Sequence, residues 1–297
     1  MWLLQIALFF FPLSALSACS HKHQIAVTFD DLPGPTEAPA KTQDWINRSI
    51  LEALKKSKAP ATGFVNEGKL FSHGETEAKI AILDLWARGG FLLGNHTYSH
   101  HSLSGTDLKI FQEDVEKGSL ISKALMDKAS LPYEYFRHPY LHTGMSEDKR
   151  TAFETFLKKH GYQIAPVTID TDDWKFNKEL EDHPEKKELI LKKYLDHTRK
   201  KFTFYKKASE KIFGRNIKHT WLLHANRLNA YAMADLLSFL DEEHYEVIPL
   251  GDAMKDGAYS EKDSYYGAFG VSWLYRWDFT RGKVVDWSED PEPDNNP

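Results

Sequence analysis

Ile25-Ala26-Val27-Thr28-Phe29 is a run of apolar and β-favouring residues, the pattern of a buried strand. It ends in two adjacent acids, Asp30 and Asp31. Each ionised carboxylate needs a partner, a metal or water once it leaves bulk solvent. The same beat continues downstream. Trp45, Ile46, Ile50, Leu51 and Leu54 sit at helical spacing and predict a helix over 42–57. Residues 61–66 read as a second strand. Residues 75–88 read as a helix, with Ile80, Leu83 and Trp86 on one face and Gly89-Gly90 at its end. A short strand over 91–94, a helix over 108–126, a strand over 135–137 and a helix over 147–160 follow. A fifth strand spans 163–168, a sixth 219–224 and a seventh 246–250, with a helix over 231–240 between the last two. The lysine- and glutamate-rich stretch 178–211 reads as one long helix with a solvated face. Strand–helix alternation implies an α/β fold with a parallel sheet and crossover helices. Seven strands suit a barrel better than an open sheet, and no linker splits off a second domain.

After Leu250 the pattern fails. Residues 257–287 carry Tyr265, Tyr266, Phe269, Trp273, Tyr275, Trp277, Phe279 and Trp287. Aromatics this dense are expected to plug one side of a core; a sugar-stacking surface is the other reading. Residues 289–297 are acidic and rich in Pro and Asn and are expected to be disordered.

The net charge of −5 is mild and supplies no electrostatic reason to expect a nucleic-acid partner. The apolar run Trp2–Leu13 is short for a bilayer span and has the length of a signal-peptide core. Leu16-Ser17-Ala18-Cys19 resembles a bacterial lipoprotein processing site. Residues 1–18 are therefore expected to be removed, leaving a lipid on Cys19 that anchors an exported protein in the cell envelope. No Lys or Arg precedes the apolar run, which departs from an ordinary signal; a plain secretory signal is the alternative. Cys19 is the single cysteine. The mature chain has no further thiol for a disulfide, nucleophile or zinc ligand, so any metal site must use His, Asp or Glu.

Each strand end is followed by residues of catalytic type, and in barrels the loops after the strands build the active site. Strand three delivers Asn95-His96-Thr97-Tyr98-Ser99-His100, strand four Arg137-His138-Pro139-Tyr140, strand five Asp170-Thr171-Asp172-Asp173-Trp174, and strand six Leu222-Leu223-His224. His96 and His100 are four apart; a helical turn would put both imidazoles on one side. Joined to a carboxylate, they make a set that leaves a coordination position open for water. His101 is an alternative ligand by position. His21, His23, His73, His160, His183 and His197 fit no constellation and read as surface histidines.

These motifs, in this order from Thr28-Phe29-Asp30-Asp31 to Leu222-Leu223-His224, resemble the polysaccharide deacetylase family, the NodB-homology group of carbohydrate esterases (family 4). The resemblance spans residues 24–250, leaving 251–297 as a C-terminal extension. It implies a distorted (β/α)7 barrel and a hydrolase that removes N-acetyl groups from a glycan such as peptidoglycan or a chitin-like polysaccharide. It further implies that Asp31, His96 and His100 bind a divalent metal, usually zinc, and that Asp30 is the general base, held ionised by Arg137. By the same resemblance the Tyr140 N–H shares the substrate carbonyl oxygen, and His224 is the general acid, paired with Asp173. Trp174 and Leu222 are then walls of the acetyl pocket. Leu32-Pro33-Gly34 departs from the Gly-Pro usual after the two aspartates and is expected to alter the pocket rim. The family also contains enzymes acting on xylan esters and small cyclic amides, so a small-substrate deacylase is a second reading. A non-catalytic glycan-binding lipoprotein is a third; its mark would be loss of Asp30 or His224, and both are present.

Overall fold

The structure, a computed structural model, describes residues 23–293. The predicted signal, Cys19 and the last four residues lie outside that range. Among the described residues no helix is long and apolar enough to cross a membrane.

The strands are β1 (His23–Leu32), β2 (Ala61–Val65), β3 (Leu92–Asn95), β4 (Tyr135–Phe136), β5 (Gln163–Ile164), β6 (Ile169–Asp170), β7 (His219–His224) and β8 (Tyr245–Val247). The helices are α1 (Ala40–Lys56), α2 (Thr76–Arg88), α3 (Leu108–Lys117), α4 (Leu120–Lys128), α5 (Glu147–Lys159), α6 (Asp173–Asp182), α7 (Lys187–Phe213), α8 (Arg227–Glu242), α9 (Leu250–Met254) and α10 (Trp273–Arg281). β1 is central. Val27 pairs with Ala61 of β2 on one side and with Trp221 of β7 on the other. Ile25 through Asp30 are all buried, as a strand covered on both faces requires. The sheet runs β5-β4-β3-β2-β1-β7-β6, with β8 added beside the start of β1. Every pairing is parallel. The alternation anticipates this parallel barrel, and the path of seven strands with β8 beside it is the distorted (β/α)7 form that the resemblance implies.

Three elements depart from the sequence reading. Of the strand expected over 163–168 only 163–164 pair, as β5 on β4; the next strand, β6, begins at Ile169 on the opposite edge of the sheet, against β7. Residues 165–168 cross the seam between them: Ala165 N–H reaches Phe136 O at 2.8 Å and Thr168 N–H reaches Thr220 O at 3.0 Å. The helix expected over 108–126 breaks at Gly118. A Cβ there would lie 2.5 Å from the backbone of Thr97 and Tyr98, so only glycine lets the helix end against that loop. The long charged helix breaks at Pro184, where α6 gives way to α7. Its face is not wholly solvated either, since Tyr194, Lys201, Phe202 and Tyr205 are buried.

The C-terminal aromatics do plug the core. Trp273, Leu274 and Trp277 are buried in its main cluster. The plug seals the seam, because Trp273 N–H donates to Val167 O at 2.7 Å and Ser272 Oγ to Thr168 O at 2.8 Å. The chain stays ordered past 289: Asp290 pairs with Lys201 at 3.0 Å and Glu292 with Lys175 at 2.9 Å. The disorder expected from composition is therefore corrected for 289–293, where buried Lys201 supplies a partner that composition cannot reveal.

Candidate active site

β1 ends by turning Asp31 into a left-handed conformation, φ 70°. β3 ends at Asn95, after which Thr97 (φ 67°) and His100 (φ 57°) also turn left-handed. The 96–100 segment is thus a loop, not the helical turn that the four-residue spacing suggested. α3 holds this loop: Tyr98 N–H donates to Asp114 O, and Ser99 N–H and Oγ both donate to the Asp114 carboxylate. Tyr140, Leu141 and Asp172 are left-handed as well. Such residues cost about 1–3 kcal/mol each and concentrate where surrounding structure enforces them, often at functional sites.

Asp31, His96 and His100 bring one ligand atom each within 4.8 Å of one another. His96 Nδ1 donates to Arg137 O at 2.8 Å, which fixes the tautomer and leaves Nε2 free as a donor to a cation. Asp31 Oδ1 is buried without a hydrogen bond. It faces His100 Nε2 at 3.4 Å and the Lys69 ammonium at 3.3 Å. Burial pushes the Asp31 carboxyl up, but Lys69 and the histidines outweigh it and hold the group well below the usual carboxylate range. Burial lowers His96 to about 3 and His100 to about 4. Two neutral imidazoles beside an ionised carboxylate with an orphaned oxygen fit a divalent cation. His101 is exposed and outside this group.

Asp30 is buried beside the trio. Arg137 lies beneath it, with Nη1 at 3.1 Å and 3.3 Å from its two oxygens. The rest of that guanidinium is tied down by Ala165 O at 2.7 Å and Thr28 Oγ1 at 3.1 Å. Burial raises the Asp30 carboxyl above its ordinary value, against the pull of Arg137. His224 donates from Nδ1 to Asp173 at 2.7 Å. The second Asp173 oxygen accepts from the His224 N–H at 2.8 Å and the Asn226 amide at 3.1 Å. Burial alone would lower His224, but buried Asp173 outweighs it and the imidazole is pushed up to about 10.

These groups share one cavity of about 480 Å³, lined by Asp30, Asp31, His96, His100, Tyr140, Asp170, Trp174, Leu222 and His224, with Leu141, His142, Phe269 and Gly270. Leu32, expected at the rim, points into the core instead, where its Cδ1 fills the space over Gly63. His197, read as a surface residue, is buried against Asp172 at 3.2 Å. Lys69, His142 and Phe269 were not singled out as site residues from sequence. Lys69 follows a strand end by four residues in a polar turn with no motif; only the fold brings it to Asp31.

Residues 17–165 match the family model described as polysaccharide deacetylase. The chain belongs to the polysaccharide deacetylase family. It is 28% identical over 162 residues to a peptidoglycan-N-acetylglucosamine deacetylase of Bacillus cereus, covering 54% of this chain and 50% of that one. It is 28% identical over 181 residues to a chitin deacetylase of Colletotrichum lindemuthianum, covering 59% and 61%. The chain thus spans about half the length of the first of these curated relatives. Among solved structures, a polysaccharide deacetylase of Bacillus cereus superposes with a TM-score of 0.53 at 18% identity, covering 77% of this chain and 92% of that one. A carbohydrate esterase family 4 pseudoenzyme from Bacillus anthracis superposes with a TM-score of 0.54 at 15% identity, covering 79% and 66%. A fold shared with a pseudoenzyme carries no activity by itself; the side chains in the cavity must supply it.

Proposed function

We propose that this protein is a metal-dependent hydrolase that removes N-acetyl groups from a glycan such as peptidoglycan or a chitin-like polysaccharide. The observation that carries this reading is the pairing of two differently tuned groups across one cavity. A carboxylate held by Arg137 lies beside the Asp31–His96–His100 trio, and an imidazole held protonated by Asp173 lines the same space. Asp31, His96 and His100 would hold a divalent cation, and two imidazoles with one carboxylate suit zinc. Such an ion, when bound, polarises a carbonyl and lowers the pKa of water from 15.7 to about 7.

Amide hydrolysis also needs a base, an oxyanion donor and an acid. Asp30 is the base; its raised pKa brings it closer to neutrality, where proton transfer works best. Arg137 positions it and prevents it from turning away. The Tyr140 N–H is the donor to the developing oxyanion, a role typically worth about 3–4 kcal/mol. His224 delivers the proton to the departing nitrogen from Nε2, while Asp173 keeps Nδ1 occupied. Trp174 and Leu222 enclose the acetyl group.

Acetate release from N-acetylglucosamine oligomers and peptidoglycan, with metal content measured in parallel, tests the assignment. Asp30→Asn and His224→Ala should each lose about 10²–10⁴-fold in kcat while keeping metal. Wild-type rates in Asp30→Asn would remove the proposed base and the mechanism with it. We also propose export and anchoring through a lipid on Cys19. Labelled fatty acid should be incorporated by the wild type and not by Cys19→Ala.

A further inference from the structure

The cavity has a wall that does not come from the barrel. Phe269 and Gly270, in the segment between α9 and α10, line it together with the strand-end residues. Phe269 is 76% exposed. A lone exposed phenylalanine needs no explanation, but this one shares its cavity with Trp174, 55% exposed, and Tyr140, 56% exposed. Three exposed aromatics thus line one polar-floored cavity, the mix of apolar walls and convergent polar groups that suits a ligand site.

The position of Phe269 is enforced. A Cβ on Gly270 would lie 1.7 Å from Tyr140 O, so the chain crosses the Tyr140 loop in direct backbone contact. Just beyond, Ser272 and Trp273 are hydrogen-bonded to the seam of the barrel. Buried Arg276 donates to Leu141 O at 2.7 Å and to Thr143 Oγ1 at 2.8 Å. Phe269 therefore stands on a segment locked to the loop that carries Tyr140, with its ring left to solvent.

We propose that Phe269 is a stacking platform for a sugar ring next to the one that is deacetylated, so that the C-terminal extension completes the substrate site. This rests on the glycan reading above. An aromatic face is electronegative and its edge electropositive, so the face attracts the weakly positive C–H bonds of a pyranose. The polar floor serves the acetamido group, while the Phe269 ring, left to solvent at the same cavity, is free to meet a neighbouring part of the glycan. The extension then selects for chain length rather than for the reacting group.

The test compares full-length Phe269→Ala and Phe269→Trp with wild type, using calorimetric binding of N-acetylglucosamine tetramer and monomer, and acetate release from both. Phe269→Ala should bind the tetramer about tenfold more weakly and raise its KM, with a smaller loss of monomer binding and the thermal midpoint unchanged. Phe269→Trp should restore tetramer affinity. Equal tetramer affinity in Phe269→Ala and wild type, equal weakening for tetramer and monomer, or no tetramer binding by wild type, overturns the proposal. Binding is read without turnover, so absent acetate release counts against the deacetylase reading alone, while the affinity comparison still decides the role of Phe269.

Discussion

Arg137 is fully buried and satisfies three partners at once: the Asp30 carboxylate, Ala165 O and Thr28 Oγ1. A lysine offers a point charge in place of this planar fork, so Arg137→Lys should lose most of the activity. Arg137→Met leaves a buried carboxylate without its counter-charge, which typically destabilises by about 3–5 kcal/mol. Urea denaturation would show this as a lower midpoint. Lys69 likewise holds its neighbour ionised, but at an oxygen proposed to bind a cation. Its ammonium lies 3.3 Å from Asp31 Oδ1, where it competes with any cation for that oxygen. Lys69→Met should therefore tighten divalent-ion binding, by about tenfold for a change of roughly 1.4 kcal/mol. Calorimetric metal titration checks it; unchanged or weaker affinity would mean that the ammonium does not compete.

At the scale of elements, the loops that carry the proposed site residues are held from behind by helices and by the extension. Gly118 ends α3 against the backbone of Thr97 and Tyr98. In Gly118→Ala the new methyl meets backbone that cannot easily give way, and overpacking of this kind costs about 1–3 kcal/mol. The His96–His100 loop should shift and zinc affinity should fall. Gly105→Ala, whose added methyl meets nothing within 4 Å, is the control and should bind zinc as wild type does. Behind the next loop, Lys201 of α7 joins Asp172 to Asp290, each at 3.0 Å. It thereby links the corner before Asp173 to the C-terminal segment. Lys201→Met should lower the thermal midpoint and expose residues near 290 to proteolysis; an unchanged digestion pattern would argue against that link. The sequence shows the lysine run of α7 plainly, but not that one of its members turns inward, because charge periodicity is blind to a partly buried partner 89 positions away.

For the whole molecule, histidines buried in neutral form contribute to acid sensitivity. Burial holds His219 at about 3, His96 at about 3 and His100 at about 4. Below the ordinary value of 6.5 the unfolded chain takes up protons that the folded one refuses. Stability is therefore undiminished by these groups above about pH 6.5 and falls as pH drops toward 3–4, by up to roughly 1.4 kcal/mol per pH unit for each histidine. His219 lies at the start of β7, at the end of the barrel away from the cavity, bonded to Thr168 and Asn216. Replacing it with Gln should flatten the slope of stability between pH 6 and 4 without altering metal affinity. Urea melts across that range would reveal it, and an unaltered slope would exclude His219 as a contributor.

By itself the sequence determined the parallel barrel, the order of its strands along the chain and the strand ends where reactive side chains gather. Apolar periodicity and short motifs are local properties, and a parallel sheet places all its strand ends on one face. Tertiary contacts alone decided that 163–168 splits across the seam, that Leu32 turns into the core over Gly63, and that His96 and His100 converge from a loop rather than a helix. The same contacts bring Lys69 to Asp31 and Phe269 to the cavity. These outcomes depend on which distant segments compete for the same space and charge, and that competition exists only once the chain has closed on itself.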